Sequence, residues 1–229
     1  MECGVFIMKI MTWNCNGRFR DKIDIALACK SDLYVIQECE NPLKYEQSFV
    51  SQINNYIWYG LNDNRGLCIF GSKDIDITDN NWEKYGLRHF VSAKINNRFD
   101  LIGVWASPPY IEEYYVYQQI HKDKFSNDTV IIGDFNSNAI WDNNHRERNH
   151  SEVVRQLNDI GLVSAYHYTT NEEQGKELTA TFYLHRNTTK AYHIDYCFIK
   201  PERIRKMEIL DKAEWLKYSD HIPLIVEIV

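Results

Sequence analysis

Short apolar runs rich in β-branched and aromatic residues recur along the whole chain: KIMTWNC, DLYVIQE, IWYGLN, GLCIFGS, HFVSAKI, FDLIGVWAS, TVIIGDF, TATFYLH, YHIDYCFI and IPLIVEIV. Many are bounded by Gly, Asn, Asp or Pro, which is how strands are punctuated. Helical patterns fall between some of them. DKIDIALAC sets Ile23, Ala26 and Leu27 on one face. PLKYEQSFVSQI opens with Pro42 at a first-turn position. HSEVVRQLNDIG has Asn149 and Glu152 at capping-box spacing and Gly161 as its stop. Helices alternate with strands early, and strand follows strand in the middle and at the C-terminal end. The order predicts an α/β (α+β) fold with two mixed β-sheets packed together and helices outside. No Pro/Gly/Ser linker and no repeat of fixed period divides residues 1–229, so one domain is expected.

Composition narrows the class. The 229 residues are 44% hydrophobic and 25% charged, the balance of a globular protein. A net charge of −6 argues against a protein that coats nucleic acid by bulk charge, but leaves room for an enzyme that meets a phosphate through a metal and a local patch. None of the six cysteines has C-x-x-C spacing, and buried free thiols in a reducing cytosol are expected. No stretch approaches a spanning helix and no basic leader precedes an apolar core, so a cytoplasmic protein with no membrane partner is expected. Met8 offers an alternative start, which would make Met1–Ile7 an appendage.

Five of the runs end in polar groups: TWNCNG, VIQE, IIGDFN, HIDYCF and YSDHIPL. Strand side chains two apart share a face, so Asn14 with Asn16, and Asp134 with Asn136, address one spot each. Taken singly these are turn signals or solvated acids. Asp195, inside an otherwise apolar strand, demands a partner such as a histidine or a metal. The set suits phosphate-ester hydrolysis. Glu38 supplies a hard oxygen for Mg²⁺ or Mn²⁺, Asp134 or an Asp-His pair a base, and Asn14, Asn136 or His221 donors for phosphoryl oxygens. Gly133 is read as letting the backbone approach a substrate.

Taken in order, TWNCNG, QE, GDFN, IDY and SDHIPL resemble the endonuclease/exonuclease/phosphatase superfamily, whose members include abasic-site endonucleases, deoxyribonucleases, sphingomyelinases and inositol phosphatases. The resemblance spans the chain and implies a four-layer α/β sandwich. It implies Glu38 as principal metal ligand, with Asn16 and Asp220 near the ion. It implies Asp134 and Asn136 at the nucleophilic water and scissile phosphate, Asp195 holding His221, and Asn14 in support; either Asp134 or His221 would serve as base. Asn16 stands where abasic-site enzymes often have Asp, which removes one charge from the metal cluster. LIGVWASPPY lies where those enzymes present a Tyr before a Pro, and Trp105, Ser107 and Tyr110 are the substrate-contact candidates. The Trp-Cys-Asp-Arg signature of the inositol branch is absent, and the chain is short for loops that grip duplex DNA.

Other features keep two readings. His145, Arg146, Arg148 and His150 form either a phosphate-contacting loop or a solvated one, and Arg18 and Arg20 share that ambiguity. Tyr110 or Tyr114 either stacks on a base or, at helical spacing, packs in the core. His193 faces with Asp195 and Cys197 if the strand is regular. The resulting expectation is an Mg²⁺- or Mn²⁺-dependent phosphodiesterase, a nuclease acting on DNA or RNA. The alternatives are an enzyme of small or lipid-derived phosphate esters and an inactive binding module.

Overall fold

The computed structural model describes residues 7–44, 51–53 and 55–229. Cys3, most of the Met1–Ile7 segment and the middle of PLKYEQSFVSQI lie outside the described residues.

Two six-stranded sheets form the frame. The first runs β13 (Ile204–Ile209), β14 (Leu224–Ile228), β1 (Met8–Asn14), β2 (Leu33–Cys39), β4 (Arg65–Gly71), β3 (Asn55–Asn62). The second runs β5 (Ile77–Asp79), β6 (Phe90–Ile95), β7 (Phe99–Trp105), β8 (Thr129–Asp134), β12 (Asp195–Ile199), β9 (Val163–Ser164). Both are mixed: β1 is parallel to β2 and β7 is parallel to β8, while the remaining pairs are antiparallel. A short hairpin, β10 (Phe182–Tyr183) with β11 (Ala191–Tyr192), stands apart. The helices are α1 (Ile23–Leu27), α2 (Ile111–His121), α3 (His150–Asp159), α4 (Ala165–Thr170) and α5 (Lys212–Trp215).

The period-2 alternation of the strands sorts their side chains into layers. Met8 and Ile10 of β1, Leu33 and Val35 of β2, Val130 and Ile132 of β8, and Cys197 and Ile199 of β12 fill the space between the sheets. The intervening residues pack outward. Met11, Trp13 and Ile36 meet Ile23, Ala26 and Trp215 on the outer face of the first sheet. Ile131, Tyr196 and Phe198 meet Tyr114, Tyr117, Val153 and Leu157 of α2 and α3 on the outer face of the second. The four layers are therefore helix, sheet, sheet, helix. Tyr114 and Tyr117 are core residues, which settles the reading of the tyrosine-rich stretch for these two positions.

Several local signals carry through. Asn149 caps α3 by accepting from the Glu152 N–H at 2.9 Å, and Gly161 takes a positive φ of 78° just past its end. TATFYLH, by contrast, supplies only the two-residue β10, because the chain turns at Leu184–Arg186 with His185 at φ 54°. Strand β13 has no apolar run to mark it in the sequence: it lies on a sheet edge, with Arg205 and Lys206 exposed and Glu208 half-buried.

Gly133 has a role in the frame itself. At φ 148° its missing Cβ leaves room for the Val104 carbonyl oxygen of the neighbouring strand, which a built Cβ would meet at 2.0 Å. This close approach is made by β7. Gly133→Ala is expected to lower stability by on the order of 3 kcal/mol, read as a reduced urea midpoint with unchanged m-value.

Candidate active site

Three inward-facing positions fall at the same end of the interlayer core: Asn14 closes β1, Asp134 closes β8 and Asp195 opens β12. Each continues the alternation that buries Ile10, Ile132 and Cys197, so the polar residues cap the apolar layer. In the ladder Asp195 lies opposite Asp134. Asp134 has no exposed surface, and its carboxylate is met by three hydrogen bonds. Oδ2 accepts from Asn14 Nδ2 and from Asn136 Nδ2, each at 2.9 Å, and Oδ1 accepts from the Asn136 backbone N–H at 2.8 Å. The Asn14 bond joins the two sheets.

Both Asn136 amide protons are spent, one on Asp134 and one on the Ala106 carbonyl at 3.1 Å. Asn14 divides its own between Asp134 and Glu38 Oε1, at 2.9 and 3.3 Å. In this arrangement the two amides hold carboxylates rather than pointing free protons outward. Asn136 also reaches Asp134 by a route other than strand alternation: its φ of 48° bends the chain back after the strand ends.

His221 is buried beside them. Its Nδ1 lies 3.0 Å from Asp195 Oδ2, and its Nε2 lies 4.0 Å from Asp134 Oδ2. Burial alone would lower the imidazole's pKa, but Asp195 and Asp134 outweigh it and hold the ring protonated up to about pH 9. Burial pushes the Asp134 carboxyl up to about 7, against the pull of His221 and with a further push from Asp195. The site thus sets an imidazole whose proton is held more tightly than usual beside a carboxyl that gives up its proton less readily than usual. One ligand atom from each of Asp134, Asp195 and His221 lies within 4.8 Å of the others.

The segment carrying His221 is tied down on several sides. Trp13 Nε1 donates to the His221 carbonyl at 3.1 Å, and Ser219 Oγ donates to the Asn14 carbonyl at 2.7 Å. Thr181 links Asp195 to the segment that carries His221. Its hydroxyl oxygen accepts from the Asp195 N–H at 3.1 Å, and its carbonyl accepts from the Ile222 N–H at 2.7 Å.

Glu38 sits one step outside this group. Regular alternation along β2, with Val35 inward and Ile36 outward, would turn Glu38 to the helix-covered face. Instead the ladder to β4 slips between Gln37 and Cys39, and Glu38 adopts φ 58°. This bulge re-aims the carboxylate toward Asn14. Glu38 Oε2 is buried and accepts no well-directed hydrogen bond, though Arg65 Nη1 lies 2.8 Å away. Asn16, at φ 54°, donates to Asp220 Oδ1 at 3.0 Å. Oxygen donors such as those of Glu38 and Asp220, one of them a buried oxygen held by charge alone, are of the kind that suits a hard divalent cation.

The other sequence candidates are spread around the group. The Trp105 ring lies 4.2 Å from that of His89, and Ser107 Oγ is 3.0 Å from His89 Nδ1. Tyr110 precedes α2 with its ring at the surface, 40% exposed. His145 pairs with Glu112 at 3.1 Å in a cleft that also includes Arg146 and Arg148. Among the described residues none of these four hydrogen-bonds to Asp134, Asp195 or His221. His193 leaves the site too: it lies before β12, its Nδ1 within 2.9 Å of the Thr179 carbonyl and its ring against Tyr166. His150 is buried at the start of α3 with Nε2 3.1 Å from Gln174. Cys15, Cys29, Cys39, Cys68 and Cys197 are free thiols.

Residues with no sequence signal complete the surroundings. The Phe182 ring lies 4.6 Å from His221, and Tyr192 and Trp141 continue the aromatic run outward, with 6.4 and 5.1 Å between successive rings. Their separation in sequence hid them. No helix among the described residues is long and apolar enough to cross a membrane.

No family model and no curated protein matches the chain. Solved structures do. A 3′ phosphatase from Neisseria, NExo, bound to a product DNA hairpin shares 20% identity over 97% of this chain and 99% of its own, with a TM-score of 0.72. An AP endonuclease from Archaeoglobus fulgidus shares 19% over 96% and 98%, with a TM-score of 0.68. The endonuclease domain of a telomere-specific non-LTR retrotransposon shares 16% over 97% and 98%, with a TM-score of 0.66. The two stacked mixed sheets with outer helices, matched end to end by these enzymes, give the chain the endonuclease/exonuclease/phosphatase fold.

Proposed function

We propose that the protein is a metal-dependent phosphodiesterase acting on nucleic acid. The observation that carries this reading is the buried Asp134–His221–Asp195 group, in which the imidazole, held above its usual range, and the Asp134 carboxyl, pushed up by burial, stand 4.0 Å apart. That separation is too long for a direct hydrogen bond, so Nε2 remains available to a third group. Among similar folds, the NExo structure holds a DNA hairpin product, which supports nucleic acid as the substrate here.

In this reading Asp134 is the general base. Its carboxyl near 7 matches the pH at which it would accept a proton from the attacking water. Asn14 and Asn136 orient that carboxylate and keep it from pairing directly with the imidazolium. His221 presents Nε2–H to a non-bridging phosphoryl oxygen, where charge grows in the transition state. Asp195 fixes the ring by accepting the hydrogen bond of the Nδ1–H. Glu38 and Asp220, with Asn16 holding Asp220, are the residues for Mg²⁺ or Mn²⁺, which when bound would neutralise phosphate charge. Phe182, Tyr192 and Trp141 offer stacking faces for a base beside the scissile phosphate. Trp105, Ser107, Tyr110 and His145 are left as outer substrate contacts.

The direct test incubates purified protein with single-stranded, abasic and 3′-phosphorylated DNA, RNA and a generic phosphodiester, with Mg²⁺, Mn²⁺ or chelator. Metal-dependent turnover of a nucleic acid is expected, with kcat falling by about 10²–10⁴-fold in Asp134→Asn and in His221→Ala. Turnover of the generic ester alone, or full activity in both variants, rejects the reading.

A pH titration isolates the dyad. His221, raised above its ordinary 6.5, contributes stability that is complete below that value and is lost as pH rises through about 9. In metal-free protein the His221 ring protons should titrate near 9 by NMR. In Asp195→Asn the midpoint should fall toward 6.5 or below, because burial then meets less opposition. An unmoved midpoint would mean that Asp195 does not hold the proton.

A further inference from the structure

Arg65 opens β4 and brings its guanidinium to Glu38, one of the two carboxylates that the proposed reading gives to the metal. Nη1 is 2.8 Å from Glu38 Oε2, the buried oxygen that lacks a well-directed hydrogen bond. On another side the guanidinium lies over Gly17, whose missing Cβ would stand 4.0 Å from Nε and Nη2. The side chain is 55% exposed, so solvent reaches much of it there. Neighbouring cations are engaged elsewhere: Lys22 on the Cys15 and Gly17 carbonyls, Arg20 on Glu40, and Arg18 on Asp21.

A guanidinium and a divalent cation repel one another strongly at one carboxylate, so a cation reaching Glu38 must loosen the Arg65 contact. The freed fork is planar, permanently charged and shaped for two phosphate oxygens. Its long stem and exposure let it turn toward an anion that arrives at the same mouth.

We propose that Arg65 is a substrate-phosphate ligand held in reserve on Glu38, and that its exchange from carboxylate to phosphodiester couples metal binding to substrate binding. The proposal rests on the assignment of Glu38 as a metal ligand. In the free protein Arg65 competes with the cation. Once a phosphodiester is present the competitor is drawn away, and metal and substrate each bind more tightly for the other's presence.

Mn²⁺ alone is the first probe, with free ion counted by electron paramagnetic resonance. Arg65→Ala is expected to bind Mn²⁺ about threefold to fivefold more tightly than wild type, the worth of a half-exposed ion pair. A phosphorothioate-linked DNA strand that resists cleavage should tighten Mn²⁺ binding in wild type and lose most of that effect in Arg65→Ala. Arg65→Lys keeps the charge but not the fork, and should stay near wild type for Mn²⁺ alone while the strand's effect shrinks. Equal Mn²⁺ affinity in wild type and Arg65→Ala, with binding abolished by Glu38→Gln, overturns the exchange and leaves the metal assignment standing. Mn²⁺ binding that Glu38→Gln does not weaken overturns the assignment, and the exchange with it.

Discussion

A carboxylate with no exposed surface, Asp134, stands at the end of an apolar layer, and its neighbours are arranged around that fact. Left bare it would be too costly to keep ionised. Asn14 from the first sheet and Asn136 from the following turn supply hydrogen bonds, and His221 supplies positive charge. Asp195, buried on the adjacent strand, gives that charge its second partner. No member is satisfied without the others, so loss of one leaves an uncompensated group in a water-poor place. The layer beneath is rigid because Ile132, Cys197 and Ile10 interlock there.

The same packing explains where the backbone is forced. Glu38, Asn16 and Asn136 all take positive φ, a conformation that costs energy for any residue with a side chain. Each such residue turns a functional group away from the direction its strand would give it. Gly133 is the complement: it relaxes the strand just before Asp134 so that Val104 can approach. The loop after Asp134 is then anchored by Asn138, whose amide donates to the His193 carbonyl and to Glu177 at 2.9 and 3.0 Å. Burial opposes the charge on Glu177, yet His167, Gly175 and Asn138 outweigh it and hold the carboxyl near 2, so this anchor stays charged at neutral pH.

Charge is distributed with the same economy. The chain carries a net charge of −6, and the acids at the site are each met by an amide, an imidazole or a guanidinium. In the proposed reading a phosphate would meet the imidazole of His221 and the guanidinium of Arg65 rather than a broad basic surface. Recognition would therefore act at short range, at the scissile group and on the aromatic run beside it.

The alternating apolar runs determined the layers, since period 2 decides which side chains can be buried together. They also marked Asn14, Asp134, Asp195 and His221, because a polar residue ending an apolar strand has few ways to be satisfied. Three things were not legible. The bulge that turns Glu38 inward depends on how β2 pairs with β4, and pairing is not written in either strand. Arg65, Thr181 and Phe182 carry no motif, and they matter only because the fold brings them to Glu38, Asp195 and His221. Which amide protons remain free was decided by tertiary contacts as well, for hydrogen bonds form between partners whose distance in sequence says nothing of their distance in space. Local pattern thus determined which residues need partners, and the packing of two sheets decided which partners they have.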